Sequence, residues 1–182
     1  SENYPNIHES SKAAVWYEQE IFGNEDQIFS AWVQLMEKHN GMEEYSWFAV
    51  NRNEQEKLKV FRHAIAWKVS EFISQRGLKK VGTDVAVPND VFREYYSGTK
   101  ELIDKAGLRY IVYGHFGDSH MHLNFLPEDK AEYGKSRELY KEICLNAMKL
   151  EGTFSAEHGV GKSKRDFLLL MYGEEIIRKM AS

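Results

Sequence analysis

Residues 108–126 read LRYIVYGHFGDSHMHLNFL, which is two strand-like runs joined by a polar centre. Both runs, 108–115 and 120–126, have the length of strands and are bounded by turn residues. Asp118 and Ser119 predict a two-residue hairpin loop between them, and a direct hairpin makes an antiparallel pair. Because strands are few and helical patterns are long elsewhere, the sequence predicts an α+β fold with helices packed on one face of an antiparallel sheet.

The other predicted elements follow from apolar periodicity and from Pro and Gly boundaries. Helices are expected over about 11–39 (two, broken at Gly23–Asn24), over 54–74, from Asn89 or Asp90 to just before Gly107, and over 128–150. Further strands are expected over 45–51 and 81–87, with a short piece near 153–155. In the first helical region, the apolar residues expected to form a buried stripe are Trp16, Ile21, Ile28, Trp32, Leu35 and Met36.

The composition is that of one globular domain, residues 1–182. The 24 Lys and Arg against 28 Asp and Glu lack the basic excess of a nucleic-acid binder. The single cysteine, Cys144, cannot form an internal disulfide, and no apolar run approaches the roughly 20 residues of a membrane span. We therefore expect a soluble, cytoplasmic protein without nucleic-acid partner or transmembrane segment. The missing initial Met suggests a piece of a longer polypeptide.

Three histidines lie within eight residues, at 115, 120 and 122. A two-residue loop at 118–119 would make His115 and His122 direct cross-strand neighbours, with Cβ atoms roughly 5 Å apart. His120 and Asn124 would project from the same face, because strand side chains repeat every two residues. Two imidazoles so placed can share a cation such as Zn²⁺. The alternative is a structural hairpin whose histidines lie at a wet edge.

A second polar cluster occupies the glycine-rich stretch 152–162. Glu157 offers a carboxylate that would complete a His-His-Glu set, a catalytic zinc arrangement that leaves one position open. His158 could act as a base, since the unperturbed pKa of histidine lies near neutrality. The alternative is a flexible glycine turn with a solvated Glu-His pair.

Two other features have competing interpretations. Residues 156–163 match a loosened phosphate-binding loop, A-x-x-x-x-G-K-S, but only 19 residues (182 minus 163) follow and none forms the further strand that such a fold needs. Arg62 follows the core position Phe61 on a predicted helix, so it could lie at a pocket rim or be solvated. His8 and His39 are expected to be solvated.

Three segments resemble the signatures of one family: residues 83–88 (TDVAVP), 113–124 (YGHFGDSHMHLN) and 152–162 (GTFSAEHGVGK). They are similar, in order and content, to the C-terminal domain of FAD-linked oxidases in the vanillyl-alcohol oxidase superfamily. The branch that they resemble contains the glycolate oxidase FAD subunit, D-lactate dehydrogenase and D-2-hydroxyglutarate dehydrogenase. One departure is that Ser119–His120 replace the usual Gly-Asn, so the loop could be wider and His120 could compete as a ligand.

The resemblance implies a ferredoxin-like cap domain that forms a substrate pocket over a flavin. It implies metal ligands at His115, His122 and Glu157 for a divalent ion, Zn or Mn, and pocket residues at Asn124 and His158. Arg62 and Lys80 would bind the carboxylate of a 2-hydroxy acid.

The FAD would be held mainly by an upstream domain of the same polypeptide that is absent here. An iron-sulfur subunit or domain would accept electrons and place the protein at a membrane surface.

The resulting hypothesis is oxidation of a D-2-hydroxy acid to the 2-oxo acid by hydride transfer to flavin, with His158 as the base. This chain alone, without flavin, is expected to be inactive. Two rivals remain at this point: a zinc hydrolase that uses His115, His122 and Glu157, and a metal-binding module without catalysis.

Overall fold

A computed structural model describes residues 7–162 and 164–180. The chain divides into two compact units, residues 1–65 and 66–182. Helix α1 (Glu25–Lys38) lies in the first unit, and helix α2 (Arg52–Ser74) begins there. Asn24 caps α1, because its side chain accepts hydrogen bonds from the first-turn N–H groups.

The first unit departs from the sequence-based predictions. Residues 11–22 are not helical, and residues 46–50 form no strand. None of the residues of α1 is buried, so the predicted stripe is wrong as a core. The ring of Tyr17 stacks on Trp32 at 3.6 Å instead, and Trp32 donates a hydrogen bond to Gln19. The apolar residues of this region therefore place an irregular segment against one helix, where two helices were predicted. A short helix is stable only when tertiary packing supports it.

The second unit contains a three-stranded antiparallel sheet, which confirms the predicted α+β fold. Its elements are β1 (Val85–Ala86), α3 (Phe92–Ala106), β2 (Tyr110–Tyr113), β3 (His120–Phe125), α4 (Lys130–Lys149) and α5 (Arg165–Met180). The strand order is β1-β3-β2, and Thr153 forms an antiparallel bridge with Ala86 on the outer side of β1. With Thr153 in place of a fourth strand, this is the ferredoxin-like β-α-β-β-α-β order.

The predicted helix boundaries in this unit agree closely with the structure. Gly107 ends α3 with a φ of 68°, the left-handed conformation that glycine adopts readily. Asp129 caps α4, since its carboxylate accepts from the N–H groups of Ala131 and Glu132. The final helix α5 was not predicted, and it is interrupted at Gly173, where φ is 73°. No helix within 7–162 and 164–180 is long and apolar enough to cross a membrane.

Strand β3 separates the core from the polar site. Met121, Leu123 and Phe125 project from one face and are fully buried with Ile103 of α3 and Ile143 of α4. The remaining residues of β3 project from the opposite face, as the two-residue repeat of a strand requires: His120, His122 and Asn124. This second face is also buried, so these polar groups need partners within the protein.

The predicted hairpin register is wrong by two residues. His122 lies opposite Tyr113, not His115, and the connection between β2 and β3 spans residues 114–119. A two-residue hairpin loop needs positive φ at one or both central residues, which Asp and Ser adopt at a cost. The chain instead forms a 3₁₀ turn over Phe116–Asp118, with positive φ at Gly114 (154°) before the turn and at Ser119 (53°) after it.

Candidate metal centre

The structure brings together three side chains that the sequence analysis grouped. One carboxylate oxygen of Glu157 lies 2.9 Å from Nε2 of His122, and the other lies 3.6 Å from Nε2 of His115. His115 reaches this position from the start of the 3₁₀ turn rather than from a strand. His115, His122 and Glu157 therefore come together as predicted. The wider loop brings His115 to this position, and not a direct cross-strand pairing with His122.

The environment of His122 suits a cation. Burial and the neighbouring His120 lower the pKa of His122, outweighing the opposite effect of Glu157, so its neutral form is favoured. A neutral imidazole carries one N–H, yet Nδ1 lies 3.4 Å from the carbonyl oxygen of Thr83 while Nε2 faces Glu157. A cation between Nε2 and the carboxylate would satisfy both ring nitrogens, with Nδ1–H donating to Thr83.

The centre is open on one side. The side chains of His115 and Glu157 are each 43% exposed, whereas His122 is buried. His158 is 66% exposed, and its Nε2 lies 3.3 Å from Glu157. A small molecule could therefore reach the donor atoms and the His158 imidazole together.

Asn124 lies on the same face of β3 as His122, two residues further along. It is buried beside the hydroxyl of Tyr113, whose pKa is raised by desolvation and lowered to a smaller extent by Asn124. Its amide oxygen packs so close to Gly82 that a Cβ there would come within 2.5 Å. The glycine at 82 thus provides the space that Asn124 occupies.

Asp84 had no predicted role, although its carboxylate accepts more hydrogen bonds than any other side chain of the described site. Its carboxylate is 4% exposed and accepts from Nε2 of His120 at 3.0 Å and from Nζ of Lys164 at 3.1 Å. It also accepts from the hydroxyl of Ser155 and from the backbone N–H groups of Glu157 and His158, at 3.0 to 3.3 Å.

These contacts fix the charge of Asp84. Burial alone would raise the pKa of this carboxyl, but the His158 N–H, Lys164 and the Glu157 N–H hold that pKa far below its usual range. Asp84 therefore stays ionised and ties the segment 155–158 to β3 through His120. The signal in the sequence was an Asp within the apolar alternation of residues 83–87, since a buried carboxylate requires partners.

Arg62 and Lys80 are the two residues predicted to bind the substrate carboxylate. Arg62 is exposed on α2, in the first unit. Lys80 lies before β1, and desolvation lowers its pKa. Their predicted roles, like the metal-ligand roles of His115, His122 and Glu157, stay predictions.

The phosphate-loop alternative finds no support in residues 153–162. Thr153 bridges to an antiparallel neighbour, and residues 155–162 form bends and turns around Asp84 rather than the start of a helix. A phosphate-binding loop follows a parallel strand and opens a helix. Ser163, the last residue of that pattern, lies outside the described residues.

Comparison with known proteins identifies the family. Residues 7–182 match the family described as FAD linked oxidases, C-terminal domain. A mitochondrial D-lactate dehydrogenase (cytochrome) of Saccharomyces cerevisiae is 28% identical over 187 residues, covering 96% of this chain and 32% of the relative. The corresponding Kluyveromyces lactis protein is 29% identical over 167 residues, covering 88% and 28%. A D-2-hydroxyglutarate dehydrogenase of Stutzerimonas stutzeri is 32% identical over 114 residues, covering 56% and 24%.

These relatives confirm the predicted branch, and the chain spans about three tenths of the length of the two yeast proteins. Since the match extends over residues 7–182, the chain belongs to the family of FAD linked oxidase C-terminal domains.

Proposed function

We propose that this chain is the metal- and substrate-binding cap domain of an FAD-dependent enzyme that oxidises a D-2-hydroxy acid to the 2-oxo acid. Family membership and the names of the relatives support the reaction class. The observation that carries the proposal is the convergence of His115, His122 and Glu157 beside the exposed imidazole of His158. The substrate class, of lactate, glycolate or 2-hydroxyglutarate type, belongs to the proposal.

The proposed ligands fit a divalent ion. Imidazole nitrogens and a carboxylate suit Zn²⁺, and they also serve Mn²⁺. When bound, the ion would supply a positive charge that lowers the pKa of a substrate hydroxyl, and the flavin would supply the hydride acceptor. Glu157 lies between the two imidazoles and gives the site its negative charge.

The other residues act on the substrate. His158 accepts the hydroxyl proton at Nε2, which is accessible and close to Glu157. Arg62 and Lys80 bind the substrate carboxylate, and Asn124 positions the substrate from the face that carries His122. These roles come from the family resemblance, and the burial of Asn124 beside His122 supports its part.

The FAD is proposed to be bound mainly by a further domain of the same polypeptide, because the chain spans about three tenths of its yeast relatives. An iron-sulfur subunit or domain as electron acceptor, and a cytoplasmic location peripheral to the membrane, are parts of the same proposal. The names of the two yeast relatives place those proteins in mitochondria.

Metal binding is tested by titration calorimetry of the chain with Zn²⁺ and Mn²⁺ at two pH values. We expect binding at pH 7.5 that weakens below about pH 6.5, because imidazoles ligate only when neutral. The double variant His115→Ala/His122→Ala should lose binding, and His39→Ala, an exposed control, should keep it. Undiminished binding by the double variant would refute the site.

Catalysis is tested by dye reduction with D-lactate, glycolate and D-2-hydroxyglutarate. The chain alone should be inactive, and the full-length flavoenzyme should be active. In that enzyme Arg62→Ala should lower kcat/KM steeply and Arg62→Lys should restore it only partly, since an ammonium cannot form the planar two-point contact. Hydrolysis of an ester or amide by this chain alone would favour the hydrolase alternative.

A further inference from the structure

His120 was predicted only as a possible competitor of the three ligands, and it lies inside the cluster of donor atoms. One donor atom from each of His115, His120, His122 and Glu157 lies within 4.8 Å of the other three. The ring centroid of His120 is 4.3 Å from that of His122 and 5.5 Å from that of His115. Its side chain is only 7% exposed, so any role for it must be internal.

The two ring nitrogens of His120 have different surroundings. Nε2 lies 3.0 Å from Asp84, whose carboxylate is also paired with the ammonium of Lys164. A carboxylate in such a pair only accepts hydrogen bonds, so Nε2 carries the proton and donates. The lone pair of the imidazole is then on Nδ1, for which we find no hydrogen-bond partner among residues 7–162 and 164–180. Histidines that ligate metals typically donate their second ring nitrogen to a carboxylate in this way.

We propose that His120 is a fourth protein ligand, through Nδ1, of the cation held by His115, His122 and Glu157, and that Asp84 orients its ring. The inference rests on the proposed function and extends it. It also gives a physical consequence: four protein ligands would close a tetrahedral zinc site. An ion that also binds two oxygens of a 2-hydroxy acid then needs six positions, which favours Mn²⁺ over four-coordinate Zn²⁺.

Asp84 itself is the competing ligand, because it forms a second group of close donors with His122, Glu157 and His158. Both of its oxygens are already occupied: Oδ1 by His120 and the Glu157 N–H, and Oδ2 by Lys164, Ser155 and the His158 N–H. A cation bound to Oδ2 would also lie beside the Lys164 ammonium, which repels it. Asp84 is therefore an outer partner of the centre and not a ligand.

A substitution with a matched control distinguishes the role of Nδ1 from that of Nε2 in His120. His120→Gln places an amide N–H₂ near the position of Nε2, so it keeps a donor to Asp84 but removes Nδ1. His63→Gln, on the exposed part of α2, is the control for the substitution itself. We expect His120→Gln to weaken Mn²⁺ and Zn²⁺ binding at least about tenfold by calorimetry, the loss typical even of an outer-shell partner. His63→Gln should bind like the wild type.

A second measurement uses the wild type and does not depend on any variant folding. In ¹⁵N-labelled protein, saturating Zn²⁺ should shift the His120 Nδ1 resonance as it shifts the ligating nitrogens of His115 and His122. An unmoved His120 Nδ1 resonance in the metal-saturated wild type would overturn the inference and leave the proposed function standing. Wild-type affinity in His120→Gln would overturn it too. Absence of any metal binding by the wild type would instead refute the metal site of the proposed function.

Discussion

Two carboxylates whose oxygens lie within 4.8 Å of the same donor atoms of His122 and His158 are used in opposite ways. Asp84 is 4% exposed and accepts hydrogen bonds from five donors, two of which are backbone N–H groups. Glu157 is 43% exposed and faces three imidazoles, none of which is a permanent cation. The difference indicates that Asp84 holds the loop in place while Glu157 remains available for an added charge.

Asp84 and Glu157 are connected directly, through a backbone hydrogen bond. Asp84 accepts from the backbone N–H groups of Glu157 and His158, so the buried carboxylate positions the residue that carries the open one. A site built in this manner needs no metal to keep its loop folded, because the charge that holds the loop is satisfied by Lys164. Asp84 should therefore dominate stability, and Glu157 should dominate ion binding.

The largest expected effect is on stability. Asp84→Asn should lower the free energy of unfolding by about 3–5 kcal/mol, because it leaves the Lys164 ammonium, whose side chain is only 12% exposed, without its carboxylate partner. Glu157→Gln should change it by less than about 1 kcal/mol in the presence of a chelator, since the side chain is half exposed. Urea denaturation of both variants measures the contrast, with Asp118→Asn as the exposed control in the same region. Equal losses of stability for Asp84→Asn and Glu157→Gln would contradict the claim that Asp84 dominates stability.

A smaller effect is expected from acid, because protonation removes the charge of Asp84 but keeps its side chain. The pKa of Asp84 is lowered in the folded state, so below the ordinary Asp value of about 3.9 the unfolded chain binds a proton that the folded chain does not. Stability from this group is thus complete above that pH and is lost as the pH falls toward the folded pKa. Denaturation at a series of pH values should show the wild type and Asp84→Asn converging below about pH 4. A constant difference between them would contradict the assignment.

The smallest effect concerns one of the five donors. The hydroxyl of Ser155 lies 3.0 Å from Asp84 and 2.7 Å from the Gly159 carbonyl oxygen, to either of which it donates, and it accepts from Lys164 at 3.0 Å; Ser155→Ala removes these contacts together. We expect a loss of about 1.5 kcal/mol in the free energy of unfolding, the contribution typical of a hydrogen bond to a charged group. Ser97→Ala, on the exposed side of α3, should be neutral in the same assay. Loss of metal affinity in Ser155→Ala without loss of stability would reverse the roles of the two carboxylates.

The fold was predictable where local chemistry decides it. The turn at Gly107, the cap at Asp129 and the antiparallel pair of β2 and β3 follow from residues close in sequence. The register of that pair was not predictable, because it depends on whether the positive-φ residues are the adjacent Asp118 and Ser119 or, as observed, Gly114 and Ser119 on either side of a 3₁₀ turn. The apolar periodicity of residues 11–22 misled in a different way, since an aromatic stack between Tyr17 and Trp32 takes the place of a helical face.

The candidate site, like the fold, was predictable from the sequence only in part. His115, His122 and Glu157 could be grouped from residue type and spacing, although the distance of 35 residues between His122 and Glu157 is bridged only in the fold. The role of Asp84 could not be derived, because its donors come from positions up to 80 residues away. A carboxylate in a strand shows that it needs partners but does not show which ones.

The most direct test of the central claim is a crystal structure of the chain grown with Zn²⁺ or Mn²⁺, with anomalous diffraction recorded at the metal edge. We predict one strong anomalous peak about 2.0–2.2 Å from ring nitrogens of His115 and His122 and from a Glu157 oxygen, with Asp84 still bonded to Lys164. A peak bonded to Asp84, or a metal-saturated protein in which Glu157 remains hydrogen-bonded to His122 without an ion between them, would contradict it.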